Sequence, residues 1–199
     1  MVNRKITKYD LDILGEVGNI GAGNAATALS QILNKKVLLN IPMVKLCKLN
    51  EIADILGGPE EIRTAVFFGI NQALNGYILF MITDDDAAKI KRAVAGDYEI
   101  DPNSVVSEIA NIISGAYVGS LATMINNTID ITPPEVCQDM VGSLIDALIA
   151  NVCSVADKTV IIGTNLVINE EEISGFYVLL LEKESLDSML DYFYSISKM

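Results

Sequence analysis

Apolar and polar positions divide the chain into two stretches with the same predicted order of elements: a long helix, a strand, a short helix, a hairpin of two strands and a closing helix. In the first stretch these elements cover residues 8–34, 36–46, 51–56, 63–70 with 76–82, and 84–95. In the second they cover residues 104–126, 129–137, 139–151, 159–167 with 175–181, and 185–196. Thr7 directly precedes the first helical pattern and is its predicted cap.

The two stretches are copies of one sequence. Residues 12–42 align with residues 104–134 at a shift of 92 without gaps. The identical pairs are Glu16 with Glu108, Asn19 with Asn111, Ile20 with Ile112, Gly23 with Gly115, Leu29 with Leu121, Asn34 with Asn126, and Pro42 with Pro134. The shift grows to about 99 at the hairpins, where Gly76 aligns with Gly175, so an insertion lies between.

This repeat predicts a single domain, residues 1–199, made of the halves 1–97 and 98–199 and related by a pseudo-two-fold axis. The fold class is α/β of the α+β kind. Because hairpins join most strands, we expect a mainly antiparallel sheet with the helices on one face. The two long helices carry the candidate site.

Each long helix carries four residues at the spacing i, i+4, i+7 and i+11, which places them in one narrow stripe. The stripes are Asp12, Glu16, Asn19 and Gly23 on the first helix, and Ser104, Glu108, Asn111 and Gly115 on the second. Apolar and small residues occupy the opposite face of each helix and are predicted to be buried. The stripes are therefore predicted to face solvent or a partner.

The amino-acid composition argues against several kinds of partner and active site. The net charge of −12 and a sequence pI near 4.3 disfavour nucleic acid and anionic membrane surfaces, and they favour a partner with a basic face. Histidine is absent, which excludes Ser-His and Cys-His nucleophile pairs. Cys47, Cys137 and Cys153 form no paired motif, so we expect three buried small side chains in a reducing cytoplasm, and no metal site.

The pattern predicts neither a membrane-spanning helix nor a secretory signal peptide. The longest apolar runs, residues 77–82 and 176–181, are much shorter than a membrane-spanning helix, which needs roughly 20 residues. The first five residues lead into a polar mixture rather than an apolar signal core. We therefore expect a cytoplasmic protein that does not bind membranes.

Three other features allow a structural or a chemical interpretation. Gly18, Gly21 and Gly23 are spaced like part of a phosphate loop, but they lie inside a helical pattern without the Lys-Ser/Thr ending, so close helix packing or a slightly irregular helix is favoured. Residues 84–86 and 170–172 are acidic, and we interpret them as a helix start and a solvated turn rather than as metal ligands. Pro42 and Pro134 fit strand edges or bulges because they lack an N–H group.

The repeated pattern Asp/Ser-x3-Glu-x2-Asn-x22-Pro resembles that of the CheC-type phosphatases of chemotaxis, a family that includes CheC, CheX and FliY. It occurs once as Asp12, Glu16, Asn19 and Pro42, and again as Ser104, Glu108, Asn111 and Pro134. The resemblance extends over essentially the whole chain. Two intact copies fit the CheC type better than the single-site, dimeric CheX type, and we expect no added switch domain of the FliY type.

The resemblance implies a hydrolase that removes the aspartyl phosphate from a CheY-like response regulator in two-component signalling. Asn19 and Asn111 would each hold a water beside the phosphate, since an amide both donates and accepts hydrogen bonds. Glu16 and Glu108 would pair with a receiver lysine, and Asp12 and Ser104 would extend the contact. The receiver would bring its own Mg²⁺, and the chain would need no cofactor of its own.

A second partner also follows from the resemblance. CheC-type proteins bind the deamidase CheD through a helix that here corresponds to residues 139–151, with Leu144, Ile145 and Asp146 as the candidate contacts. From the residues alone, a plain packing helix is the favoured interpretation. A binding regulator of CheD or of a receiver with little hydrolysis is the main alternative function, and a structural adaptor of the motor switch is another.

Two expectations concern the pair of sites. The internal repeat already supplies a pseudo-dimer, so we expect a monomer. Gly18 and Gly21 flank the first site, whereas Ala110 and Ile113 flank the second. If the glycine-rich helix is the more mobile, the second site is the more active.

Overall fold

The computed structural model describes residues 6–151 and 158–196. Within them the chain forms one seven-stranded sheet with helices packed on it. The strands are β1 (Val37–Lys48), β2 (Ile62–Gln72), β3 (Gly76–Ile82), β4 (Ile129–Ile131), β5 (Glu135–Met140), β6 (Lys158–Ile168) and β7 (Glu171–Leu181). The helices are α1 (Lys8–Leu33), α2 (Ile52–Ile55), α3 (Asp84–Ala95), α4 (Pro102–Met124), α5 (Val141–Ala150) and α6 (Lys183–Ile196).

The predicted elements are present, with bounds that differ by one to three residues at most ends. The exception is the strand predicted over residues 129–137, which is two strands, β4 and β5. The break contains Pro133 and Pro134, which cannot donate to a strand ladder. The predicted short helix near residue 51 begins as a 3₁₀ turn over Leu49–Glu51 and continues as α2.

Caps at the start of the long helices fix where they begin. The Thr7 hydroxyl accepts a hydrogen bond from the Asp10 N–H at 3.3 Å, while the Thr7 N–H donates to Asp10 Oδ2 at 2.7 Å. This reciprocal pair is a capping box, and it confirms Thr7 as the cap of α1. On α4 the Asp101 carboxylate accepts from the Ser104 N–H at 3.2 Å, and Pro102 occupies the first turn. The acidic run at residue 84 starts α3, as predicted.

The strands of the two halves interleave in one sheet. The order is β1-β6-β7-β3-β2-β4, with β5 also paired with β2, and every pairing is antiparallel. Exchanging each strand for its repeat counterpart gives the same order reversed. The mixed class, the antiparallel sheet and the pseudo-two-fold arrangement are therefore confirmed, while the division of the chain at residues 97 and 98 stays a prediction.

Both prolines of the repeated pattern lie at irregular points on the sheet edges. The register of β1 against β6 shifts between Asn40 and Met43, the interval that contains Pro42. Pro134 lies in the break between β4 and β5 at the opposite edge. The prediction that these prolines fit edges or bulges is confirmed.

Helices cover both faces of the sheet, so the expectation of helices on one face is wrong. The four longer helices, α1, α3, α4 and α6, share the main core with strand residues such as Phe68 and Phe80. On the other face, α2 and α5 bury a second cluster with Leu79 and Met81. Consecutive residues of β3 thus face two different cores, and a strand apolar on both faces needs cover on both.

One helix of the described part of the chain, α4, is long and apolar enough to span a membrane. It has 23 residues, and an 18-residue window within it has a mean hydropathy of 1.3, so the expectation that no stretch approaches this length is wrong. Half of its apolar window is buried inside the protein, where α4 packs against α1 and the sheet. The buried side of α4 is therefore part of the main core.

The cysteines differ from one another in their environments. Cys47 is buried, and burial raises the pKa of its thiol to about 11. Cys137 is exposed on the edge strand β5, so the expectation that it is buried is wrong. Cys153 and the five N-terminal residues lie outside the described residues.

Candidate functional site

The two long helices pack against each other and present their polar stripes on the outer surface. Asp12, Glu16, Asn19 and Gly23 are exposed on α1, and Ser104, Glu108 and Gly115 are exposed on α4, while Asn111 is half-buried. The predicted inner faces are buried: Leu14, Val17, Gly18, Gly21 and Ala25 on α1, and Val106, Ile109, Ala110, Ile113 and Tyr117 on α4. The prediction that the stripes face away from the core is confirmed.

Two glycines on the inner face of α1 allow close packing. A Cβ at Gly21 would lie 2.5 Å from Cδ1 and 2.9 Å from Cα of Tyr117 on α4. A Cβ at Gly18 would overlap the Cδ1 atom of Ile41 on β1. These glycines let α1 approach its neighbours, so close helix packing explains them and a phosphate loop does not.

The glutamates and asparagines of the stripes are available for binding. Across residues 6–151 and 158–196, Glu16, Asn19, Glu108 and Asn111 make no side-chain hydrogen bond or ion pair within the chain. A carboxylate and an amide held on a rigid helix without internal partners can bind the groups of another molecule. Each helix therefore offers one carboxylate and one amide, three residues apart.

A groove of about 610 Å³ runs between α1 and α4 beside the first stripe. Glu16, Ile20 and Asn24 line it from α1, and Ser120 and Thr123 are among the lining residues of α4. Asn24 Nδ2 donates to Ser120 Oγ at 3.5 Å across the groove. Ile20 is 53 % exposed, which adds an apolar surface next to Asn19.

Sequence reasoning identified the stripes but missed the groove. Groove residues come from two helices that are about 100 positions apart in the chain, and no spacing rule joins them. One signal was present in the repeat, because Ile20, which directly follows Asn19, is identical to its counterpart Ile112.

Two buried tyrosines, Tyr117 and Tyr177, pack in the core beneath the exposed faces of the site helices. The Tyr117 and Tyr177 rings make an edge-to-face contact, with centroids 5.3 Å apart, and Tyr117 Oη lies 3.5 Å from Thr164 Oγ1. Burial raises the pKa of Tyr117 to about 12 and raises that of Tyr177 well above its usual value. Neither ring carries a charge at neutral pH, so both act as packing residues.

The candidate CheD contacts on α5 do not share one environment. Leu144 and Ile145 are 2 % and 5 % exposed and pack in the second core, so in this structure their side chains are not offered to a partner. Asp146, the next residue, is exposed. Of the three predicted contacts, only Asp146 lies on the surface.

Metal ligation has no obvious place in the described part of the chain. No group of three or more histidine, cysteine, aspartate or glutamate side chains is arranged there to hold an ion. The acidic residues at the start of α3 are engaged locally, since Lys89 pairs with Asp86 at 2.8 Å and with Asp85 at 3.7 Å. Glu171 pairs with Arg92 at 2.8 Å.

Comparison with known families places both stripes in matched segments. A model described as the CheC-like family matches residues 10–45 and 103–137. The first segment contains Asp12, Glu16, Asn19 and Pro42, and the second contains Ser104, Glu108, Asn111 and Pro134.

Whole-chain comparisons agree with this match. The chain is 28 % identical over 195 residues to the CheY-P phosphatase CheC of Bacillus subtilis, covering 92 % of this chain and 93 % of that protein. It is 32 % identical over 139 residues to the flagellar motor switch phosphatase FliY of the same organism, covering 66 % of this chain but 36 % of FliY. The crystal structure of Thermotoga maritima FliY superposes with a TM-score of 0.74 at 24 % identity, over 98 % of this chain and 99 % of that one, which shows a shared fold.

Proposed function

Because this chain belongs to the CheC-like family, we propose that it is a phosphatase that hydrolyses the aspartyl phosphate of a CheY-like response regulator in chemotaxis. The observation that carries the proposal is the pair of exposed stripes, each with one glutamate and one asparagine that have no partner among the described residues. The relatives named CheY-P phosphatase CheC and FliY support the same activity.

The proposed reaction needs little covalent chemistry from this chain. A water attacks the phosphorus in line with the bond to the aspartyl oxygen, that bond breaks, and inorganic phosphate and a free carboxylate result. Such a transfer depends on positioning and on charge stabilisation, which a chain without histidine can supply. Mg²⁺, held by the receiver, would neutralise charge on the phosphoryl oxygens.

In this proposal each asparagine positions the attacking water. The Oδ1 atom of Asn19 or Asn111 accepts a hydrogen bond from the water, and the Nδ2 atom is free to donate to a phosphoryl oxygen. Both residues lie on the long helices rather than on loops, so their backbones are held by the core. Positioning by the amide takes the place of activation by a general base, and the protons of the water end on the phosphate product.

Each glutamate would set the docking register. Glu16 and Glu108 lie one turn before the asparagines and would pair with a lysine on the receiver. Asp12 and Ser104, a further turn away, would extend the contact at its edge. The net charge of −12 would speed association with a lysine-bearing face, and that rate should fall as salt is added.

The decisive experiment measures phosphate release from a CheY-like receiver phosphorylated with acetyl phosphate in the presence of Mg²⁺. Wild-type protein should accelerate release, and the double variant Asn19→Ala/Asn111→Ala should leave only the receiver's own decay. Gln31→Ala, which removes an exposed amide from α1 outside the stripe, is the matched control and should act as wild type. If wild-type protein leaves the decay unchanged, the phosphatase proposal fails for that receiver.

The main alternative is a non-catalytic regulator that binds CheD or a receiver. Asp146 supports a CheD contact because it is exposed on α5, whereas Leu144 and Ile145 are buried. Asp146→Arg should abolish co-elution with CheD and leave phosphate release unchanged. Unaltered co-elution would remove Asp146 from that contact. The proposed setting is the cytoplasm, with the chain acting as a monomer.

A further inference from the structure

Two glycines on the exposed stripes have no steric role within the described structure. A Cβ at Gly23 or at Gly115 would meet no atom within 4 Å. Both residues are exposed, and both lie in the interior of a long helix. Glycine is unfavourable at such a position because it loses more conformational freedom than alanine. The folded chain alone therefore gives no reason for a glycine at either place.

Repetition separates these two glycines from the others on the site helices. Gly15, Gly18 and Gly21 on α1 have Ser107, Ala110 and Ile113 as counterparts on α4, and Gly119 on α4 has Thr27 as its counterpart on α1. Gly23 and Gly115 are the pair that is glycine in both copies. The two glycines with a clear packing reason, Gly18 and Gly21, are therefore not repeated, and the repeated pair has none.

Their place on the helix points to an outside molecule. Gly23 follows Asn19 by four residues, one helical turn, and Gly115 follows Asn111 in the same way. Gly23 also lies three residues after Ile20 and directly before Asn24, and both of these residues line the groove. An asparagine side chain is short, so a phosphate that it reaches must come close to the helix surface around it.

We infer that Gly23 and Gly115 are specificity-determining positions. Because neither residue has a side chain, the backbone of the phosphorylated receiver can contact the helix one turn beyond each asparagine. This inference rests on the proposed phosphatase function. The occupant is the receiver segment beside its phosphoaspartate. A side chain at either glycine would hold that segment away from the amide.

The test combines stability with kinetics on the full chain. Gly23→Ala/Gly115→Ala should raise the melting temperature by about 2–4 °C per substitution, because alanine is the better helix former. The same variant should raise the receiver concentration needed for half-maximal phosphate release. Gly23→Leu/Gly115→Leu should raise that concentration at least about tenfold, with the maximal rate changed much less, because docking is impaired before chemistry.

Gly15→Ala is the matched control on α1. Its new Cβ would make an ordinary 3.7 Å contact with Val44, and its counterpart Ser107 already carries a side chain. It should raise the melting temperature without changing phosphate release. The inference is overturned if both double variants are folded and keep the wild-type half-saturation concentration, or if the alanine variant melts lower than wild type.

Failure of the function and failure of the inference give different results. If wild-type protein does not accelerate release, the phosphatase proposal fails for that receiver, and binding to the receiver loaded with beryllofluoride then tests the glycines alone. Weaker binding by the leucine variant supports the inference, and unchanged binding overturns it.

Discussion

The two site helices are alike on their outer faces and different beneath. Glutamate, asparagine and glycine repeat at the same spacing on α1 and α4. On the inner faces, Gly21 of α1 contacts Tyr117 of α4, while the counterparts of these two residues are Ile113 and Ala25. A small residue and a large one have thus been exchanged between the copies. Packing tolerates such an exchange when the total volume is kept, whereas the polar stripe has no such freedom.

The strands beneath the two sites differ in the same way. β1 runs through Pro42 as one strand with a register shift, whereas the counterpart at Pro134 is broken into β4 and β5. Gly18 packs on Ile41, and the counterparts of these residues are Ala110 and Pro133. Of these counterparts, Ala110 is buried and Pro133 is exposed. The copies therefore reach equivalent outer surfaces by different local packing.

The largest expected effect comes from breaking this packing on one side. Gly21→Ala should lower the free energy of unfolding by about 3 kcal/mol, because the new methyl group meets the backbone of Tyr117 as well as its ring. Chemical denaturation measures this loss. Gly21→Ala/Tyr117→Ile, which replaces the facing ring by a smaller side chain, should recover part of it. No recovery would show that the ring is not the obstacle.

The second-largest effect is expected at alkaline pH, where the second half should lose stability that the first half keeps. Tyr117 and Tyr177 belong to the second half, and their first-half counterparts are Ala25 and Ile78. A raised folded-state pKa gives stability that is present below the unfolded value of about 10 and is lost as the pH rises through about 12. At pH 12 the loss from Tyr117 is about 2 kcal/mol. Tyr117→Phe should flatten the stability curve between pH 10 and 12, and an unchanged slope would contradict this.

The caps of α1 and α4 give a smaller contrast. Thr7→Ala should cost about 1.5 kcal/mol and Asp101→Ala about 1 kcal/mol, because Thr7 also donates its hydroxyl to the buried Asp10 carboxylate at 2.6 Å. Asp101 is exposed, so water can replace what it provides. Thermal melts of the two variants measure the difference. Equal losses would mean that the buried carboxylate does not depend on Thr7.

The smallest effect is the division of activity between the sites. We expect Asn111→Ala to reduce phosphate release about threefold more than Asn19→Ala does, a difference of under 1 kcal/mol. The sequence argument relied on mobility near Gly18 and Gly21, but both glycines are closely packed. A better reason is that Asn111 is half-buried, so fewer side-chain conformations compete with the binding one. A larger loss from Asn19→Ala would reverse the ranking.

The sequence was sufficient to predict the features that depend on residue spacing within one element and on the internal repeat. The helices, the exposed stripes and the cap at Thr7 follow from spacing along one element. It was insufficient where the outcome depends on contacts between elements that are distant in the sequence. Leu144 and Ile145 are adjacent in a short apolar helix. They are buried because α5 packs on the second face of the sheet, where the sequence analysis predicts no helix.

Two of the errors had signals in the sequence. The unbroken apolar run over residues 77–82 is typical of a strand covered on both faces, so α2 and α5 could have been assigned to the second face. The consecutive prolines at 133 and 134 could have predicted the break between β4 and β5. The exposure of Cys137 had no such signal, because it depends on β5 being an edge strand.

The interleaved sheet has a consequence for the order in which the protein is made. β1 pairs with β6, which is more than about 100 residues further along the chain. At roughly 5–20 residues per second, β1 waits on the order of ten seconds on the ribosome before its partner strand is synthesised. Until then a long strand has no hydrogen-bonding neighbour and is open to mispairing. Proteolysis of stalled nascent chains should show β1 protected only once β6 and β7 have emerged. Translation speed through the second half is therefore expected to affect the yield of folded protein.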